Sequence, residues 1–159
     1  MYGTTNLPWI RHEPADADDA TEYVGGHVVR LVAASTTLNT GDCVYLSAAK
    51  TVDKSSTTAN YVSFIGVVVG GESTHYQCVS KEADVGIEAA LAGKGVLVQI
   101  TGIAWVLTAA AYDLGDALQV ATTAGAVDDS TTTAQCYVGI AITASTGAAE
   151  KQLMLINHK

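Results

Sequence analysis

Gly41-Asp42-Cys43-Val44-Tyr45-Leu46 and Gly115-Asp116-Ala117-Leu118-Gln119-Val120 follow one pattern, 74 positions apart. The match continues in Val52-Asp53-Lys54-Ser55-Ser56-Thr57-Thr58-Ala59-Asn60 against Val127-Asp128-Asp129-Ser130-Thr131-Thr132-Thr133-Ala134-Gln135, and in Phe64-Ile65-Gly66-Val67 against Tyr137-Val138-Gly139-Ile140. Each copy reads as a turn, a short strand, a hydroxyl-rich loop and a strand with a central glycine. Gly-Asp bends the chain into a strand, and the Ser/Thr loop returns it to pair antiparallel. One such unit cannot bury its apolar face alone; two can pack as a small barrel or sandwich.

The flanking sequence extends the β reading. Val28-Val29-Arg30-Leu31-Val32, Val44-Tyr45-Leu46, residues 61–69, 118–121, 137–142 and 153–156 are short, β-branched and bounded by turn residues. Residues 96–107 read as one long strand with apolar side chains on both faces, and Gly102 within it suits a bend at a barrel corner. At most one short helix is expected. Ala83, Ile87, Ala90 and Leu91 have helical spacing, with Ser80 as cap and Gly93 as stop, although Gly86 interrupts it. Residues 108–112 suit a single helical turn. The expected fold is therefore all-β: a small antiparallel β-barrel or sandwich over residues 23–159, built from two related turn-strand-loop-strand units.

Residues 1–22 differ from that body. Leu7, Pro8, Trp9 and Ile10 form an apolar patch, followed by Pro14 and an acidic stretch; the segment holds one arginine against five acids. Proline disfavours helix and central strand, so an extended N-terminal arm is expected, with Trp9 seeking cover. No secretory leader is expected in residues 1–10, which Pro8 and Trp9 interrupt early.

Chemistry is sparse. A net charge of −8 argues against binding nucleic acid, which needs cations to replace phosphate counterions, and against docking on anionic membranes. His12, His27, His75 and His158 are scattered without metal-ligand spacing, so no metal or other cofactor is expected. Asp42 and Asp116 read as turn residues that cap nearby backbone N–H groups rather than as an acid pair. No phosphate loop and no serine elbow occur. Cys78 and His75 lie three apart, on opposite faces if the segment is a strand. Cys43, Cys78 and Cys136 read as free thiols, buried or half-buried, with one disulfide and a spare thiol as the alternative. No catalytic residue emerges, and no enzyme is expected.

The second half carries a resemblance. Val96-Leu97-Val98-Gln99-Ile100-Thr101-Gly102-Ile103-Ala104-Trp105-Val106, then Leu114-Gly115-Asp116-Ala117-Leu118, Val138-Gly139-Ile140-Ala141 and the apolar strand at 153–156 resemble the capsid-decoration, or cement, proteins of tailed bacteriophages. The likeness spans residues 23–156 in pattern, with residues 80–93 as an apparent insertion. It implies a non-enzymatic protein, assembled in the host cytoplasm, that binds the outer surface of an icosahedral head. Its partner would be the major capsid protein, and its own state a homotrimer, with dimers or monomers in related shells. On that reading Leu7, Pro8, Trp9 and Ile10 are the capsid-contacting residues. The alternatives are a carbohydrate- or receptor-binding β-module of a virion, and a tail or neck component.

Overall fold

Both Gly-Asp turns form as the repeat predicts. Gly41 and Gly115 take φ of 90° and 87°, and the following aspartate accepts a backbone N–H three residues back, Asn39 to Asp42 at 2.7 Å and Asp113 to Asp116 at 2.8 Å. The computed structural model describes residues 25–56, 63–79, 81–129 and 137–157. The strands are β1 (Val28–Ala33), β2 (Leu38–Asn39), β3 (Cys43–Ala48), β4 (Thr51–Lys54), β5 (Phe64–Gly71), β6 (Glu88–Ala90), β7 (Gly95–Gln99), β8 (Gly102–Leu107), β9 (Ala117–Val120), β10 (Val127–Asp129), β11 (Tyr137–Ala141) and β12 (Lys151–Ile156). The fold is all-β.

Two five-stranded assemblies result. The first is a closed barrel in the order β1-β4-β3-β5-β7, and the second a sheet in the order β10-β9-β11-β12-β8. Their pairings correspond strand by strand. Val44↔Lys54, Tyr45↔Asp53 and Leu46↔Val52 in the first match Leu118↔Asp129, Gln119↔Asp128 and Val120↔Val127 in the second. Cys43↔Val67, Val44↔Gly66 and Tyr45↔Phe64 match Ala117↔Ile140, Leu118↔Gly139 and Gln119↔Tyr137, with a bulge at the same place. The correspondence reaches beyond the sequence repeat. β1 lies against β7 as β8 lies against β12, although the paired strands share little sequence. The barrel closes through a parallel β1–β4 pair, and the second sheet joins its ends at a single parallel bridge, Thr108↔Val127. The closing pair is thus parallel in an otherwise antiparallel barrel.

The cores show how the two units meet. Strand alternation sends Val44 and Val68 into the barrel with Val52, Val96 and Val98. Their neighbours Cys43 and Val67 point the other way and join Val106, Leu118, Val120, Val138 and Met154 in the core of the second unit. The outer face of the barrel therefore completes the inside of the second sheet. The units share a core rather than meeting as two finished sandwiches.

Three expectations need correction. Residues 96–107 are two strands: after Ile100, whose N–H donates to His27 O at 2.8 Å, the chain leaves the barrel. It turns at Gly102 (φ 88°) and enters the second sheet. A Cβ at Gly102 would stand 2.1 Å from Gly25 O, so the corner requires glycine. No helix forms over 83–91. Gly86 takes φ 82°, a one-turn 3-10 helix covers Glu82–Asp84, and β6 follows. Thr40 captures that backbone instead: its N–H donates to Ile87 O, and Gly86 N–H donates to Thr40 O, both at 2.8 Å. The Thr40 hydroxyl adds a bond to Asp84 O at 2.6 Å. Residues 108–112 likewise form no helical turn, because Tyr112 and Ser145 exchange backbone bonds at 3.0 and 2.9 Å. Ser80, the expected cap, lies outside the described residues, as do residues 61 and 62 of the expected 61–69 strand.

Candidate attachment surface

The expected contact residues, Leu7, Pro8, Trp9 and Ile10, and the whole arm over residues 1–22 lie outside the described residues. What the structure gives is the arm's root. Gly25 donates its N–H to Ile103 O at 2.9 Å and accepts from Ile103 N–H at 3.0 Å. Two residues on, His27 N–H donates to Thr101 Oγ1 at 3.2 Å, and β1 of the barrel begins. The backbones approach so closely that a Cβ at Gly26 would lie 1.7 Å from Thr101 O. The body therefore begins at the seam between the units, anchored to the second before it enters the first.

The turn aspartates do what the sequence assigns them, but in unequal surroundings. Asp42 is buried beneath the second unit, and Lys54 Nζ reaches its carboxylate at 3.0 Å. Burial pushes the Asp42 pKa up, and the Asn39 N–H and the Lys54 ammonium pull it back only partly. In the second unit the position of Lys54 is taken by Asp129, and that of Asn39 by Asp113. The duplicated site has changed from a neutralised ion pair to an acidic turn.

His27 and His75 are exposed on different elements, and His12 and His158 lie outside the described residues. Among the described residues, no three His, Cys, Asp or Glu side chains converge as metal ligands would. Cys43 and Cys78 are free thiols, and Cys136 lies outside the described residues. Burial beside Asp42 holds the Cys43 thiol well above its ordinary pKa, so it stays protonated. Cys78 is exposed, against expectation, because its segment is a loop rather than a strand: His75 and Tyr76 take φ of 51° and 59°.

Among the described residues, Trp105, Tyr112 and Tyr76 are already engaged or buried. Trp105 is 7% exposed within an apolar cluster with Val79, Val85 and Leu153. Tyr112 is buried, and the Tyr76 ring lies under the Arg30 guanidinium, 4.4 Å from its carbon to the ring centroid. An Arg30 N–H also reaches the Tyr76 hydroxyl at 2.5 Å. Trp105 therefore offers no platform for a sugar ring. No family model and no curated protein matches this chain.

Among the described residues, the large apolar side chains left in water are Val32, Leu46, Ile87, Leu91 and Leu114, the last 69% exposed. Sequence reasoning passed over Leu114. The signal was present: Leu114 aligns with Thr40 in the repeat, and a leucine standing where its twin is a buried threonine marks a changed environment.

Proposed function

We propose that this protein is a structural decoration (cement) protein of a tailed-bacteriophage head, non-enzymatic, bound to the outer capsid surface and bridging major capsid protein subunits. The observation that supports it most is the fused duplication. Two units with matching strand registers are joined by a core to which both contribute, which suits a stiff body with few internal degrees of freedom. A clamp between shell subunits needs that stiffness. It resists separation only if load on one contact is passed to another without the body deforming.

Affinity in such a clamp comes from multiplicity. Once one contact is made, the next is intramolecular, and avidity can exceed either contact by ~10²–10⁴-fold. The apolar and acidic character of residues 1–22 suits an arm that adds to a shell strand by β-augmentation, with Trp9 in a pocket as anchor. Its root at the seam lets tension on the arm pass into both units at once. The reading follows the resemblance over residues 23–156. The buried Trp105 weighs against the sugar-binding alternative.

The test is co-sedimentation of the purified chain with expanded, empty phage heads lacking their own decoration protein. Saturable binding that falls at least tenfold on deleting residues 1–12 supports the proposal. Saturable binding unchanged by the deletion removes the arm from it, and no binding removes the function.

A further inference from the structure

Comparing the two units position by position exposes a surface that neither shows alone. In the first unit the Gly41-Asp42 turn is covered by the chain's own insertion. Thr40, 1% exposed, has its N–H and C=O bonded to Ile87 and Gly86. In the second unit the segment between β11 and β12 is much shorter and leaves the matching turn bare, with Leu114 at its tip. The charge changes with the cover. Asn39, Asp42 and Lys54 in the first unit become Asp113, Asp116 and Asp129 in the second, so a leucine knob stands in an acidic rim.

The barrel carries a complementary patch at the far end of β1. Val32 N–H donates to Lys50 O at 3.0 Å and Ala33 N–H to Lys94 O at 2.9 Å, which sets the two lysines on either side of that strand end. Both are exposed, as is Arg30, two residues from Val32 on the same face. Val32 lies between the two lysines, 39% exposed, and Leu91, 49% exposed, belongs to the turn that leads to Lys94, whose N–H it accepts at 3.0 Å. Glu72 engages Lys94 at 3.4 Å, and no acidic side chain of the described residues pairs with Lys50. Asp53 also stands at this strand end, held by the Ser35 and Thr36 hydroxyls. The rim therefore sets Arg30, Lys50 and Lys94 against Glu72 and Asp53 and is basic by one charge, whereas the described residues of the second unit hold Lys151 against five acids.

We infer that the Leu114 turn of one molecule docks against the Lys50–Val32–Lys94 patch of a second copy of this chain, in a head-to-tail contact. A protruding leucine enters an apolar patch, and opposite charges meet around it, which fixes register and speeds encounter. The contact joins two different surfaces. Repetition therefore closes a ring where the rotation permits and otherwise extends a filament. It concerns copies of this chain in isolation and stands apart from attachment to a shell.

The experiment is sedimentation velocity on the full chain across a range of concentrations, in salt of about 0.01 M and about 1 M, where the Debye length falls from about 30 Å to about 3 Å. Expected is concentration-dependent association at low salt that weakens at high salt. Leu114→Asp, Asp113→Lys and Lys50→Glu should each weaken it by about tenfold. Among the described residues neither the Asp113 nor the Lys50 side chain has a hydrogen bond or ion pair, so melting temperature should stay at the parent value. The decisive variant carries Asp113→Lys and Lys50→Glu together. Because the contact is head-to-tail, each molecule again presents opposite charges to its neighbour, and association should return. A chain that stays monomeric throughout, association indifferent to these substitutions, or a double variant as weak as the singles overturns the inference.

Discussion

Replacing Asp42 and Asp116 by alanine, one at a time, separates what the duplicated turn needs from what the seam between units adds. Both side chains accept one backbone N–H at nearly equal distance, 2.7 and 2.8 Å. Asp116 is partly exposed, so Asp116→Ala should cost about 1 kcal/mol, the usual loss for a capping carboxylate. Asp42→Ala removes the same bond and also strands the Lys54 ammonium, whose side chain is 24% exposed. Breaking a buried ion pair costs about 3–5 kcal/mol, and partial hydration of Lys54 places this case near 3 kcal/mol. The difference of about 2 kcal/mol corresponds to roughly 4–8 °C in melting temperature for a chain of this size. Removing both charges, Asp42→Asn with Lys54→Met, should recover most of the loss, because burial already raises the Asp42 pKa despite its partner. Thermal melts by circular dichroism, with urea titrations to check that the slope is unchanged, give all four values. Equal losses for Asp42→Ala and Asp116→Ala would refute the claim that the seam differs from the free turn.

Other consequences follow from particular residues. Gly102→Ala should destabilise by more than about 2 kcal/mol, since left-handed strain of about 1–2 kcal/mol adds to a collision with Gly25 O. Gly93→Ala, at φ 76° with nothing within 4 Å of the new Cβ, should lose only the strain; urea midpoints distinguish the two. Thr40→Val should loosen residues 84–87, seen as faster amide exchange at Gly86 and Ile87, with a global loss of about 1–2 kcal/mol. Glu150 is held at about 2, chiefly by the Thr146 hydroxyl, then by the Thr146 N–H and Gln152. A depressed carboxylate stabilises above its unfolded value. That contribution is therefore present above pH about 4.5 and lost as pH falls toward about 2. Glu150→Gln should flatten this limb of the stability–pH curve. Asp42 has the opposite sign, its raised pKa favouring the fold as the carboxyl protonates.

How much of this was legible in the chain depended on how local the cause was. The Gly-Asp turns and the strands they open carry their instructions within a few residues, so this part of the repeat is readable by eye, while the Ser/Thr loops at 57–60 and 130–135 lie outside the described residues. The pairing of β1 with β7 and of β8 with β12 is equally duplicated but invisible. Val28-Val29-Arg30-Leu31-Val32-Ala33 and Gly102-Ile103-Ala104-Trp105-Val106-Leu107 share a role and almost no letters. The 83–91 helix failed because its spaced residues do not share a buried face: Ala90 packs into the barrel core as part of β6, Ile87 and Leu91 stay exposed, and Thr40, far away in sequence, claims the backbone. The long strand failed at Gly102, where the bend foreseen for a barrel corner proved to be the passage between units. For the surface, Leu114 was readable only by comparing the two copies.

The central claim is adhesion to a viral shell, and cryo-electron microscopy of decoration-free expanded heads incubated with this protein tests it most directly. The account predicts ordered density on the outer surface at stoichiometric occupancy, with the two-unit body spanning neighbouring capsid subunits and the segment around Trp9 against the shell. Bare heads at saturating protein, or density confined to the tail or neck, would contradict it.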